Sequence, residues 1–102
     1  MINNKKVFVQ SSFPGMTAKQ YDQVWADLQR AGQSNPQGLH HHIGAQQGNN
    51  WLVVDVWESA EAFNKFSETL MPILRNNGVN VDQGKPVITR LHFEYEGAVL
   101  TH

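Results

Sequence analysis

The residues able to do acid–base or binding chemistry fall into a few groups. His40-His41-His42 is a run of imidazoles inside the chain, and imidazole both moves protons near neutral pH and ligates divalent metals. On a strand, alternation sends His40 and His42 to one face and His41 to the other. Two imidazoles at that spacing hold a metal only with a third ligand such as His92, and no carboxylate or cysteine stands at a ligand-like spacing beside them. The other readings are histidines hydrogen-bonded in the structure or at an interface, or one histidine lining a pocket and moving a proton. Asp55 lies midway along the apolar run Trp51 to Trp57, on the face that also carries Trp51, Val53 and Trp57. A buried, unpaired carboxylate is costly. Asp55 therefore either abstracts a phenolic proton or orients a ligand in a pocket, or it pairs with Arg90 or His92 from another strand. Arg90, His92 and Glu94 form one side of the last strand, as a polar network inside a barrel or as a solvated face. Tyr21 and Trp25 share an apolar helix face, in the core or against a pocket, where the tyrosine hydroxyl requires a partner.

The elements that position these groups can be read from periodicity. Lys6 to Gln10 is a short first strand, broken by Ser11-Ser12-Phe13-Pro14-Gly15. Thr17 and Gln20 make a capping box, and Tyr21, Val24, Trp25 and Leu28 fall on one helical face closed by Gly32. Leu39 to Gln46 is a second strand, and Gln47-Gly48-Asn49-Asn50 is a hairpin turn that pairs it antiparallel with the third. The third strand, mostly β-branched and aromatic, reads as covered on both faces. It runs into a helix capped by Ser59, with Glu61 in its first turn. Phe63, Phe66, Leu70, Ile73 and Leu74 line that helix, Pro72 should kink or restart it, and Gly78 ends it. Val87 to Tyr95 alternates cleanly as a fourth strand, and 97–102 is a loose tail. The order β-α-β-β-α-β is ferredoxin-like, an α+β fold with both helices on one face of an antiparallel sheet. Trp51, Trp57, Ile88 and Tyr95 leave more apolar surface than one sheet face should show to water, which predicts a homodimer closing into an α/β barrel.

The chain has 102 residues, enough for a single domain with its core at about 6–96. A charged fraction of only 17% leaves room for a buried subunit interface. The net charge of -1, with no basic cluster, argues against nucleic acid and anionic membranes as partners. Absence of cysteine excludes disulfides, thiolate metal sites and a cysteine nucleophile. Without an apolar leader or a long apolar run, the expected location is cytoplasmic.

The run Val56-Trp57-Glu58-Ser59 followed by Glu61-Ala62-Phe63 resembles the antibiotic biosynthesis monooxygenase-like family of small dimeric α/β-barrel proteins. The likeness extends to Pro14-Gly15-Met16-Thr17, Tyr21, Gly38-Leu39 and His42, and covers about 7–95. It implies a pocket between sheet and helices in which a substrate activates oxygen itself, with no flavin or metal cofactor. The heme-degrading branch of the family uses an asparagine, a tryptophan and a histidine where this chain has Gln10, Phe66 and the stretch Leu74 to Asn76, so heme degradation is not expected. Since His42 matches the family pattern, it is the histidine selected from the run. The resulting expectation is a cofactor-independent monooxygenase that binds a small aromatic molecule. His42 or Asp55 deprotonates a phenol-like substrate, Trp57, Tyr21 and Phe66 enclose its ring, and Trp25, Arg90 and His92 complete the ligand contacts. The alternative is a non-enzymatic stress-response or ligand-sensing dimer. A pocket of several hundred Å3 beside His42, Asp55 and Trp57 favours the first reading, and a filled interior in which these residues bond to one another favours the second.

Overall fold

The computed structural model describes residues 5–83 and 85–95; the expected tail at 97–102 lies outside them. The elements are β1 (Val7–Pro14), α1 (Ala18–Arg30), β2 (Leu39–Gln47), β3 (Asn50–Trp57), α2 (Ala60–Asn76) and β4 (Val87–Arg90). They form one antiparallel sheet in the order β2-β3-β1-β4. This is the expected ferredoxin-like arrangement, with β1 and β3 in the middle.

Both helices begin and end on local sequence signals. The Thr17 hydroxyl accepts from the Gln20 backbone N–H while the Gln20 side chain accepts from the Thr17 N–H, and Ser59 accepts from the Ala62 N–H. At each C-terminus a glycine takes a left-handed conformation, φ 79° at Gly32 and 76° at Gly78. The following residue then donates back to the last turn, Gln33 to the Leu28 carbonyl and Val79 to the Leu74 carbonyl. Pro72 does not divide α2, which runs unbroken from Ala60 to Asn76.

The helix-facing side of the sheet carries Val7, Val9 and Phe13 from β1 and Trp51, Asp55 and Trp57 from β3, all buried. Against them pack Val24 and Leu28 of α1 and Phe63 and Leu74 of α2. On the opposite face of β3, Leu52 and Val54 are partly covered and Val56 is buried. Nearby Ile43 and Phe93 remain 60% and 76% exposed.

Three expectations are corrected. The first strand does not end at Gln10 but runs on to Pro14, because Ser11 to Pro14 pair with Val53 to Asn50 of β3. A bulge between Leu39 and His41 breaks the ladder, so that Leu39 pairs with Trp57 but His41 already pairs with Val56. The extra residue resets the alternation. His40 occupies the bulge and is exposed, while His42 comes to lie opposite Asp55. The fourth strand also ends at Arg90, not Tyr95, because its one partner is β1 and antiparallel extension beyond Arg90 runs past Val7, where β1 begins. After a last bond from the Leu91 N–H to the Lys6 carbonyl, the chain turns across the open face. There Glu94 is held by Lys6 at 2.7 Å and by His41 at 2.8 Å.

The hydrogen bond from Lys6 to Glu94 keeps that carboxyl below its ordinary value, aided by the charges of Lys6 and His41 and opposed by burial. A depressed carboxyl stabilises the fold above its unfolded-state pKa and loses that contribution as pH falls through its folded one. Acidification is therefore expected to loosen the 91–95 segment first. The protection factor of the Leu91 amide, its exchange rate relative to the unfolded chain at the same pH, should fall in acid before those of the helices, and Lys6→Ala should lower it in the same way at neutral pH.

Candidate functional site

Strand β2 brings His42 and strand β3 brings Asp55 to directly opposed positions on the helix-facing side of the sheet. His42 Nδ1 lies 2.6 Å from Asp55 Oδ1. The second carboxylate oxygen, Oδ2, accepts the Trp57 indole N–H at 3.1 Å. From α1, the Tyr21 hydroxyl reaches His42 Nε2 at 2.5 Å. The result is a chain of hydrogen bonds, Tyr21–His42–Asp55–Trp57, drawn from α1, β2 and β3. With a carboxylate at Nδ1, the network assigns the imidazole proton to that nitrogen and leaves Nε2 to accept from Tyr21.

Burial raises the Tyr21 phenol above its ordinary value; the charges of Asp55 and Asp22 push the same way, and a hydrogen bond involving Trp25 opposes them. Tyr21 is thus a hydrogen-bond donor at neutral pH, and the acceptor of its proton is His42. Asp55, 7% exposed, has its two oxygens occupied by different donors, which fixes the imidazole plane. The ring of Trp25 meets that of His42 edge-on at 4.9 Å, and Tyr21 packs on Trp51 at 4.7 Å.

These residues border an interior crevice of about 50 Å3, walled also by Phe66, Leu70 and Leu74 of α2. Of the site residues expected from sequence, His42, Asp55, Tyr21, Trp25 and Phe66 line it. Trp57 is fully buried behind Asp55, meets Phe63 edge-on and packs at a tilt against Phe66. Arg90 and His92 are elsewhere: Arg90 lines a separate cleft with Lys5, Val7, Ala60 and Glu61, and His92 is exposed beyond the end of β4. Asp55 is paired by His42 and Trp57, not by either of them. Among the described residues, no three His, Asp or Glu side chains gather as a metal ion would require.

One positioning residue escaped the sequence reading. Gly44 has ordinary strand geometry, yet a Cβ there would lie 2.6 Å from the Tyr21 hydroxyl and 2.7 Å from its ring. The signal was available, since an isolated glycine within a strand marks close approach of another group. Gly44→Ala is expected to drive Tyr21 off His42 Nε2 at a cost of about 1–3 kcal/mol. A lowered urea midpoint, with the Tyr21 ring resonances moved away from those of His42, is the outcome to look for.

No family model matches the sequence, and no curated protein does. Solved structures do match in fold. A candidate antibiotic biosynthesis monooxygenase from Chloroflexus aurantiacus superposes with a TM-score of 0.62 at 12% identity, over 89% of this chain and 97% of that one. SnoaB, a cofactor-independent oxygenase from Streptomyces nogalater, gives 0.60 at 14% identity, over 89% and 96%. A monooxygenase from the gene ActVA-Orf6 of Streptomyces coelicolor, in complex with nanaomycin D, gives 0.57 at 16% identity, over 98% and 95%. A dimeric ferredoxin-like protein from an uncultured marine organism also matches over most of both chains. In its fold, this chain stands with the antibiotic biosynthesis monooxygenase structures that its sequence resembles.

Proposed function

We propose that the chain is a cofactor-independent monooxygenase of a small phenolic substrate, working as a homodimer. The Tyr21–His42–Asp55 chain carries this reading, because it couples a half-buried hydroxyl to an imidazole whose far nitrogen is anchored on a carboxylate. A phenol reaching the Tyr21 oxygen passes its proton to that oxygen as Tyr21 passes its own to His42 Nε2. Asp55 stabilises the imidazolium formed. The phenolate left behind is electron-rich enough to reduce oxygen. One oxygen atom enters the ring, the other leaves as water, and the phenol becomes a quinone. The exposed Ile43 and Phe93 on the open face support the dimer, as does the dimeric neighbour of like fold.

One observation favours the non-enzymatic dimer: the crevice, at about 50 Å3, is nearly filled, and His42, Asp55 and Trp57 bond to one another. An aromatic ring therefore needs a side chain to move aside. Oxygen uptake with hydroquinone and with dihydroxynaphthalenes separates the readings. The enzyme reading expects uptake that His42→Ala abolishes although the variant, its thermal midpoint lowered by the loss of a donor to Asp55, is still folded at the assay temperature. No uptake and no midpoint shift with any phenol would leave the non-enzymatic dimer.

A further inference from the structure

Beside the inner crevice lies a larger, open cleft of about 400 Å3, lined by Gln33, Gln37, Glu58, Glu61, Ala62, Lys65 and Phe66. Phe66 is the one described residue that borders both spaces. It is partly buried and packs against both core clusters, with its ring 5.2 Å from Trp57. On one side of that ring are the acid–base groups; on the other are carboxylates, amides and an ammonium. None of the polar side chains in the cleft has a hydrogen-bond or ion-pair partner among the described residues.

Resting on the phenol-oxidising reading above, we infer that Phe66 is the partition of a two-part site whose substrate is a phenol bearing a polyhydroxylated polar arm. The ring takes the inner crevice once Phe66 turns aside, and the arm stays in the outer cleft. Hydroxyl groups suit this lining. The Glu58 and Glu61 carboxylates accept from them, Lys65 donates to them, and the Gln33 and Gln37 amides do both. A strongly anionic arm would meet two carboxylates, and a purely apolar one would leave these groups without partners. Phe66 can turn because it is only partly buried and no hydrogen bond fixes it, so that apolar packing is all its movement gives up. Its neighbour Ala62 is fixed against Gly38, where a Cβ would come within 2.8 Å of the Ala62 methyl. The cleft floor is therefore closely packed, and Phe66 is the side chain that must give way.

The test uses hydroquinone and its β-glucoside as probes of the full chain, followed by amide NMR. The glucoside is expected to bind about ten-fold more tightly than hydroquinone. It should shift Gln33, Gln37 and Lys65 together with Tyr21, Trp25 and His42 at one common affinity. Phe66→Trp, which enlarges the partition, should abolish the inner shifts and keep the outer ones, while Phe66→Leu should keep both. Glucoside shifts confined to Tyr21, Trp25 and His42 would overturn the two-part site while leaving the phenol-binding reading intact. Shifts confined to the cleft in the parent protein, or none at all, would also overturn it.

Discussion

Asp55→Asn is expected to lower turnover of a phenolic substrate by about a hundred- to ten-thousand-fold while leaving the fold in place. The reasoning is geometric. Asp55 accepts two bonds, from His42 Nδ1–H and from the Trp57 indole. An asparagine keeps the volume but offers one carbonyl oxygen and one NH2. If the oxygen serves Trp57, the NH2 confronts His42, and the imidazole must move its proton to Nε2. That is the atom meant to receive the proton of Tyr21. The relay then has no acceptor, although every heavy atom is near its original place. Loss of the carboxylate also leaves an imidazolium without its counter-charge. A rate measurement on the variant, with its thermal midpoint recorded alongside, checks both halves. Full activity in Asp55→Asn would mean that the carboxylate serves packing alone.

Trp57 produces the largest expected change in stability. Its side chain is completely buried, packed against the rings of Phe63 and Phe66, and it supplies the second donor to Asp55. Trp57→Ala is expected to cost about 3–5 kcal/mol through cavity formation. A domain of this size has only about 5–15 kcal/mol of stability in total, so the variant should be partly unfolded on warming. Trp57→Phe separates the contributions, since it keeps most of the ring packing and removes the N–H. That change should cost about 1–3 kcal/mol, mainly from a buried carboxylate oxygen left without its donor. Urea unfolding of the two variants gives the comparison. Equal losses would show that the hydrogen bond, not the ring, carries the effect.

Local features of the fold were legible in the sequence, and pairings between distant elements were not. The Thr17–Gln20 capping box, the glycines that end both helices and the shared face of Trp51, Val53, Asp55 and Trp57 each depend on neighbours within a few residues. The bulge at His40 has no such signature. Alternation in Leu39 to Gln46 looks continuous, and only the pairing partner shows that one residue is extra. The length of β4 likewise depends on where β1 starts. Arg90 and His92 were expected to answer Asp55, but β4 lies beyond β1 whereas β2 adjoins β3 directly. The neighbouring strand supplied the partner. Tyr21 was legible as a residue needing a hydrogen-bond partner; that His42 would be it depends on how α1 crosses the sheet.

A Tyr21–His42–Asp55 chain that works as a relay accepts a proton from a bound phenol. The most direct measurement is the ionisation of nitrophenol in its complex with the protein, followed by the absorbance of the phenolate as pH is varied. Bound nitrophenol is expected to ionise about one pH unit lower than in water, a difference of about 1.4 kcal/mol, and to lose the shift in His42→Ala and in Asp55→Asn. Nitrophenol that fails to bind, that binds with its ordinary ionisation, or that keeps the shift without His42 would contradict the relay.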